Sequence, residues 1–383
     1  PPRSTPKPSS AASDVYKRQI VTATSFSGDG SALTGVGASF GNSSVNSAGI
    51  ATFSAFVPTA QGSLSHRNII VNGDMRIAQR GTSSTTTALA TVDRIYTATT
   101  GVDEACTYAQ VDVASGTTPY TSGFRKAFKI TNGNQTSGAG ATDRVEVMMR
   151  LEAQDIANSG WNYTSTSSFI TFSFWIKSSV AQNFYGRIQT QDGTQQRYAI
   201  ETGSLSADTW TKITKTIPGN SNLQFDNDAN EGLRISLYGF LGTDYTDSSS
   251  LNTWAASATG NRTPDNTTTW YTTNDATLEV TGYQLEVGDT ATSFEHRSYG
   301  EELTRCQRYY YRHAEGNAAI IGAGMIYSTN NLYIVIHFPT TMRAVPSLDA
   351  STGTEYYLII AGGPESDYFQ SVSYTHLTLP TKA

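Results

Sequence analysis

The stretch "FITFSFWIK", Phe169–Lys177, alternates between large apolar side chains and a mixed set. Successive side chains of an extended strand point to opposite faces, so every second residue shares a face. One face would carry Ile170, Phe172, Phe174 and Ile176, and the other Phe169, Thr171, Ser173, Trp175 and Lys177. The pattern predicts a strand whose apolar face is buried against a second layer.

Several other segments show the same alternation, and turn sequences such as "QDGT" at 191–194 and "PGN" at 218–220 separate them. The predicted strands are Phe124–Ile130, Phe184–Thr190, Arg197–Glu201, Trp210–Ile217, Gly232–Leu241 and Leu278–Val287. The segment Val145–Ile156 fits a strand followed by either a turn or a short helix. Many short strands and few helices predict a mostly β fold, a jelly-roll-like sandwich over residues 68–297.

One helix is predicted, over about Tyr299–Arg312. Ser298 and Glu301 have the spacing of a capping box, in which each side chain binds the other residue's backbone N–H. Leu303, Cys306 and Tyr310 would lie on one stripe of this helix, so Cys306 is interpreted as a packed thiol.

Beyond the helix, residues 313–370 are predicted to form a small C-terminal β-domain. Ala318–Tyr327 and Leu332–Phe338 fit a hairpin with Asn330-Asn331 at its turn, and Tyr356–Ala361 fits another strand. The domain is expected to be truncated in this chain.

Composition excludes some classes of function. Charged residues make up 15% of the 383 residues, against roughly a quarter in an average protein, and the net charge is -6. Clustered Lys and Arg, which nucleic-acid binding requires, are missing. No apolar run approaches the roughly 20 residues that cross a bilayer, so no membrane insertion is expected. Aromatic residues make up 11%, which suits β-rich cores or sugar-stacking surfaces.

The residues with catalytic or redox chemistry form no recognisable motif. The two cysteines, Cys106 and Cys306, build neither a metal motif nor a disulfide framework, although a bridge between them stays open. No nucleophile elbow, zinc-binding helix, phosphate loop or glycine fingerprint is present. Paired carboxylates for glycoside hydrolysis stay open, with Glu201, Asp208 and Glu231 as candidates. No catalytic residue and no cofactor are predicted.

One loop has a partial resemblance to a calcium site. In "FDNDANEG", Phe225–Gly232, oxygen ligands stand at alternate positions, at Asp226, Asp228 and Asn230. The glycine comes one position late, and the twelfth position is Leu237 instead of a glutamate. A solvated loop is the favoured interpretation, and a structural calcium ion the alternative.

A polar-aromatic surface is the more promising binding site. Tyr185, Arg187 and Gln189 should share the face of their strand opposite Phe184 and Ile188, because side chains alternate along a strand. Such a face suits a sugar, since aromatic rings stack on sugars while amides and Arg bind hydroxyls. Aromatic residues in long polar loops could add to it, or could plug the ends of the sandwich. The tentative sugar-binding set is Trp175, Tyr185, Arg187, Gln189, Tyr198, Trp254, Trp270 and Tyr271.

Two separated stretches resemble the C-terminal region of bacteriophage tail fibre proteins. They are "NIIVNGDMRIAQRGTS", Asn68–Ser84, and "LEVGDTATSFEHRSYGEELTRCQRYYYR", Leu285–Arg312, in the same order as in those fibres. "FPTTMRAVPSL", Phe338–Leu348, resembles the segment that follows the helix there. The middle of the chain matches only in composition.

The resemblance implies a structural, receptor-binding protein and not an enzyme. Such a fibre is made in the host cytoplasm and forms a homotrimer. In the virion it joins other tail proteins and attaches to a host surface glycan or protein receptor. Two alternatives stay open: a carbohydrate-binding module of a secreted bacterial protein, and a tailspike that depolymerises a polysaccharide.

The ends of the chain are interpreted separately. Back-translated, residues 1–19 and about 371–383 fit the two strands of a sequencing-library adapter, so they are excluded from the fold. Residues 20–67 are rich in Gly, Ser and Ala. There "TATSFSGDGSALTG" resembles a fibre-shaft repeat, and the segment is interpreted as shaft-like repeat and hinge, with a flexible linker as the alternative.

Overall fold

The computed structural model describes residues 66–247, 249–315, 319–328, 331–347, 357–360 and 366–369. The segments interpreted as adapter sequence, and the shaft-like segment up to residue 65, lie outside these residues. No helix among the described residues is long and apolar enough to cross a membrane.

Two six-stranded antiparallel sheets make up the main body. In chain order the strands are β1 (Ser83–Ser84), β2 (Ile95–Thr100), β3 (Thr107–Asp112), β4 (Lys126–Thr131), β5 (Arg144–Glu152), β6 (Phe169–Ser178), β7 (Asn183–Thr190), β8 (Gln196–Ser204), β9 (Thr211–Pro218), β10 (Glu231–Leu241), β11 (Trp254–Ala256) and β12 (Thr277–Val287). The first sheet has the order β1-β3-β4-β12-β6-β9 and the second β11-β8-β7-β10-β5-β2. The chain crosses repeatedly between the sheets, which confirms the predicted jelly-roll-like β-sandwich.

The core lies between the sheets, and β6 shows why. Its predicted apolar face is buried, with Ile170, Phe172, Phe174 and Ile176 at 2% exposure or less. The opposite face is also partly covered, because Thr171 is buried and its hydroxyl donates to the Gly288 carbonyl at 2.8 Å. In the sheet β6 lies between β12 and the edge strand β9, and on its outer face Phe169, Trp175 and Lys177 keep part of their surface exposed.

Among the described residues four short helices accompany the sheets: α1 (Thr118–Thr121), α2 (Ala153–Ala157), α3 (Thr269–Thr272) and α4 (Tyr299–Gln307), with 3-10 turns at Thr243–Tyr245 and Thr259–Asn261. Helix α2 follows β5 directly, so the segment Val145–Ile156 is a strand followed by a short helix. Both cysteines are free and buried, as packed thiols are, and burial raises the pKa of Cys106 to about 11.

Helix α4 begins where predicted but ends earlier, at Gln307. The Ser298 hydroxyl accepts the Glu301 backbone N–H at 3.2 Å, while the Glu301 carboxylate pairs with Arg305 at 3.1 Å. The helix is short because the next residues turn onto the end of β5. There the Arg308 guanidinium makes two bonds of 2.8 Å to the Glu152 carboxylate, and the Tyr309 hydroxyl donates to it at 2.6 Å.

Two small hairpins follow α4. One pairs β13 (Gly324–Ser328) with β14 (Asn331–Ile334), and the other pairs β15 (Tyr357–Ile360) with β16 (Ser366–Phe369). The first lies where the hairpin was predicted, but its strands are shorter, and Asn331 begins β14 opposite Ser328 instead of lying in the turn. The second contains Tyr357–Ile360 of the predicted strand Tyr356–Ala361, whose two end residues lie outside the described residues. That these hairpins form a separate domain stays a prediction.

The two stretches that flank the sandwich in sequence are joined in space by a buried polar network. The Arg297 guanidinium donates to the carbonyls of Asn68 and Ile70 and pairs with Glu302 at 3.3 Å. Both charged side chains are about nineteen-twentieths buried. The Asn68 side chain donates to the Tyr283 carbonyl at 3.0 Å and accepts the Leu285 N–H at 3.1 Å. The segment before the first strand is thereby fixed against β12.

We expect Arg297→Leu to lower the free energy of unfolding by about 3 kcal/mol, because it leaves the Glu302 carboxylate buried without its cation. Arg305→Gln, which breaks an exposed pair with Glu301 on the same helix, should cost less than about 0.5 kcal/mol. Chemical denaturation of both variants measures the difference. Equal losses would show that the buried pair has no special role.

Candidate functional site

The outer face of the second sheet carries an unusual set of polar side chains. On β7 and β10, the residues Phe184, Ile188, Leu233, Ile235 and Leu237 belong to the core between the sheets. The alternate residues therefore point outward. They are Tyr185, Arg187, Gln189, Arg234, Ser236 and Tyr238, and together they are called the polar face here.

Strand register arranges the polar face in rows across the sheet. Gln189 lies opposite Arg197 on β8 and Arg234 on β10. In the next row, Arg187 lies opposite Ala199 and Ser236. These two small neighbours leave the long Arg187 side chain without a bulky partner on either flank.

A long connection between β10 and β12 crosses the same face. It is called the covering segment here and comprises residues 243–263, of which residue 248 lies outside the described part of the chain. The Arg197 guanidinium donates to the Ser249 hydroxyl at 2.8 Å, and the Gln189 amide donates to the Ser257 hydroxyl at 3.0 Å. Farther across, the Arg262 guanidinium lies 3.7 Å from the Glu146 carboxylate.

The floor of the polar face is buried, while its flanks are partly open. Arg187 and Gln189 are each 5% exposed, Ser236 1% and Tyr238 0%. Tyr185 and Arg234 keep part of their surface exposed. Tyr185 is a half-exposed ring next to buried hydrogen-bonding groups, which is the arrangement that a polar ligand with apolar faces requires.

Several buried polar atoms here have no hydrogen-bond partner in the protein. They are Arg187 Nε, Gln189 Oε1, Arg197 Nε and Nη1, Ser236 Oγ, Tyr238 Oη, Arg262 Nε and Glu146 Oε1. The Ser236 hydroxyl lies close enough to act on the pKa of Tyr238, but the two hydroxyls do not have the geometry of a hydrogen bond. An unpaired buried polar group costs about 1–3 kcal/mol, so this concentration on one face indicates a place meant for further partners.

Charges of both signs act on the polar face, with Glu146 and Asp247 beside the arginines. Burial raises the pKa of Tyr238 to about 12, although Arg187 and Arg262 act in the opposite direction. Burial also lowers the pKa of Arg197 and of Arg262, and in each case the charge of Arg187 lowers it further. The guanidinium groups therefore lie close enough to repel one another.

The predicted sugar-binding set is only partly brought together. Tyr185, Arg187 and Gln189 share one outer face, as predicted. Tyr198 does not join them, because its register partner is the core residue Ile188, and it is 3% exposed. The prediction for Tyr198 is wrong because the side chains of β8 alternate in the other phase.

The loop aromatics are core residues and not an exposed platform. Trp254 is 9% exposed, its ring lies 5.2 Å from that of Tyr198, and its Nε1 donates to the Pro218 carbonyl at 2.7 Å. Trp270 and Tyr271 are fully buried on α3, where the Tyr271 ring stacks on Phe240 at 4.5 Å. Predicting these three as sugar contacts is wrong, and they plug the sandwich, the alternative left open above.

Trp175 lies on the outer face of the other sheet. It packs there with Phe124, Trp210 and Phe294 in a small aromatic cluster, and the Lys177 ammonium lies 5.3 Å from the Trp210 ring. The prediction that Trp175 extends the surface of Tyr185 is wrong, because β6 and β7 belong to different sheets.

The predicted calcium ligands do not converge. Asp228 accepts the Asn230 backbone N–H at 2.9 Å, and Asp226 accepts from the Gln224 amide at 3.2 Å. Burial raises the pKa of the adjacent Asp192, and repulsion from Asp226 and Asp228 adds to it. Among the described residues no group of three His, Cys, Asp or Glu could hold a metal ion. The loop closes through its own hydrogen bonds.

The candidate catalytic carboxylates have other partners. The Glu231 carboxylate accepts from Arg234 at 2.6 and 2.9 Å, and Glu201 accepts from the Asn183 amide at 2.9 Å. Asp208 is exposed. That the chain is not a hydrolase stays a prediction.

The sequence contains a signal for part of what was missed. In "LRISLY" of β10, Arg234, Ser236 and Tyr238 alternate with apolar residues, and the same argument that selected Tyr185 selects them. Arg262 and Glu146 carried no such signal, because a loop and a distant strand meet only in the folded chain.

A scan against protein-family models and a search of curated proteins both find no match. Among solved structures, the chain is similar to a CBM4 structure with 14% identity and a TM-score of 0.30, covering 57% of this chain and 99% of that chain. It is similar to the xylan-binding domain from CBM 22 with 8% identity and a TM-score of 0.28, covering 60% and 99%.

A third similar structure is the enzymatically active domain of tailspike protein 4 of bacteriophage CBA120. Here the identity is 8% and the TM-score 0.30, over 57% of this chain and 21% of that chain, so the chain spans about a fifth of its length. Likenesses at this level carry no argument about function. The sandwich stands on the strand pairings described above.

The unpaired hydroxyl of Tyr238 leads to a stability prediction. Tyr238→Phe should leave the free energy of unfolding unchanged or raise it by up to about 1 kcal/mol, because no protein hydrogen bond is lost. The matched control, Tyr309→Phe, removes a bond to the Glu152 carboxylate and should cost about 1.5–3 kcal/mol. Urea denaturation compares the two. A large loss for Tyr238→Phe would mean that its hydroxyl is satisfied in the folded protein.

Proposed function

We propose that this chain is the receptor-binding part of a bacteriophage tail fibre and that the polar face holds a glycan of the host surface. The observation that carries the proposal is the group of buried polar atoms of Arg187, Gln189, Ser236 and Tyr238 that have no partner in the protein. Such atoms are stable in a folded protein when a ligand or water completes their hydrogen bonds.

A glycan suits this face chemically. Sugar hydroxyls donate and accept hydrogen bonds, and the face offers both guanidinium donors and amide or hydroxyl acceptors. The half-exposed Tyr185 ring can stack on the apolar side of a sugar ring. The face is built on central strands of a sheet, which hold binding groups more rigidly than loops do.

The fibre assignment has separate support in the two stretches that resemble tail fibre sequences. Asn68–Ser84 and Leu285–Arg312 are far apart in the chain, yet residues from both form one buried network through Asn68, Arg297 and Glu302. A resemblance whose two halves depend on each other structurally is more informative than two unrelated matches. On this assignment the protein is a virion component that binds its receptor without cleaving it.

A fibre would gain strength from repetition. One polar face makes weak contacts with a sugar, but linked copies bind a surface with much greater avidity when their geometry allows simultaneous contact. We therefore propose a homotrimer as the working state.

Binding is tested with an array of bacterial surface polysaccharides. We expect Tyr185→Ala to weaken binding at least about tenfold, because the stacking ring is lost. The matched control is Tyr299→Ala, which removes an exposed tyrosine of α4 and should bind as the unchanged protein does. Normal binding by the Tyr185→Ala variant would exclude the polar face. Release of new reducing ends from a bound polysaccharide would instead favour the depolymerase.

Assembly is tested by measuring the mass of residues 20–370 in solution by light scattering. We expect three copies per particle. A monomer at all concentrations would contradict the trimer and favour a stand-alone carbohydrate module.

A further inference from the structure

The Arg187 side chain lies at the centre of the polar face and has no counter-ion. The residue is 5% exposed, its side-chain Nε is buried without a hydrogen-bond partner, and no carboxylate of the described residues forms an ion pair with its guanidinium. A buried guanidinium without an anion is costly, and proteins keep one mainly where an anion binds.

Nearby arginines add to the positive charge around the Arg187 guanidinium. Arg197 and Arg262 both experience the charge of Arg187, and Arg144 lies 3.6 Å from the carboxylate that Arg262 also approaches. Four arginine side chains thus act on the same region. Positive potential of this kind raises the local concentration of an anionic ligand.

The carboxylates around Arg187 already have other partners, although Glu146 Oε1 accepts no hydrogen bond. Glu146 lies 3.6 Å from Arg144 and 3.7 Å from Arg262, and Asp247 accepts from the Ser249 hydroxyl. Glu201 accepts from Asn183 at 2.9 Å, and Glu231 pairs with Arg234 at 2.6 Å. Among the described residues no carboxylate is therefore paired with Arg187.

Neutral groups next to Arg187 indicate what else the ligand carries. Ser236 lies directly opposite Arg187 across the strand pair, and its hydroxyl and that of Tyr238 are both unpaired. Gln189, on the same strand, has a free acceptor oxygen. A ligand for this region needs an anionic group and also hydroxyls that can donate and accept.

We propose that the polar face binds an acidic sugar of the uronic acid class, with its carboxylate against the Arg187 guanidinium. This rests on the proposed function and names the class of glycan. A carboxylate accepts two parallel N–H bonds from a guanidinium, and the sugar hydroxyls would meet Ser236, Tyr238 and Gln189. Tyr185 and Arg234 are the members of the polar face that keep part of their surface exposed.

The test uses the full chain and two matched sugars. Thermal unfolding is followed with sodium D-glucuronate, D-glucose and sodium acetate, each up to about 100 mM and at equal ionic strength, because a ligand that binds only the folded state raises the Tm. We expect glucuronate to bind at least about tenfold more tightly than glucose, because only glucuronate makes the charge-assisted bonds, and at least about tenfold more tightly than acetate, because acetate lacks the sugar hydroxyls. The preference should decrease as salt rises.

Variants assign the effect to Arg187. Arg187→Gln should abolish the preference for glucuronate over glucose. Arg187→Lys keeps the charge but cannot donate two parallel N–H bonds, so it should keep a reduced preference. The control is Arg125→Gln, which alters an arginine stacked 3.9 Å from the Tyr120 ring and away from the polar face. It should retain the full preference.

Each other outcome overturns the inference. Equal stabilisation by glucuronate and glucose would leave the proposed glycan binding intact but remove the acidic class. Equal effects of acetate and glucuronate would indicate a plain carboxylate site. A preference that persists in Arg187→Gln would place the anion elsewhere. If neither sugar changes the Tm, the acidic-sugar site is excluded, and the polysaccharide array then decides independently whether the chain binds glycans.

Discussion

The sandwich depends on the buried pair between Arg297 and Glu302. Arg297 also holds the carbonyls of Asn68 and Ile70, and the Asn68 side chain in turn bonds to both backbone neighbours of Gln284 on β12. The chain therefore enters and leaves the sandwich at one place, where its first and last segments are bonded to each other. Because the two ends are bonded to each other there, the outward side chains of the sheets are not needed to hold them together.

The alternation of apolar residues predicted most of the sheets, because a strand that buries one face must repeat with period two. It identified β6, β7, β10 and β12 within a residue or two. It failed for β2 and β3, whose sequences "IYTATT" and "TYAQVD" carry too few apolar residues to stand out. Their burial comes from neighbouring strands, which is information that a single segment does not contain.

The candidate site was predictable to a similar degree. Tyr185, Arg187 and Gln189 follow from alternation within one strand. The two tryptophans were wrongly predicted to be exposed because the sequence around Trp254 and Trp270 is polar and loop-like, while both rings are buried in the core. Polar neighbours in the sequence do not show whether a large side chain is buried. That depends on how the side chain packs in the folded chain.

The two faces of the second sheet differ in chemistry. Its inner face is packed with aliphatic and aromatic residues, as stability requires. Its outer face buries guanidinium groups against one another and leaves hydroxyls unpaired, which a sheet selected only for stability would replace with apolar or mutually bonded side chains. Stability does not account for the outer face, so its chemistry is best explained by a partner outside the chain. Since Arg187 is buried on this face without an ion-pair partner, a partner that supplies an anion there would compensate its charge.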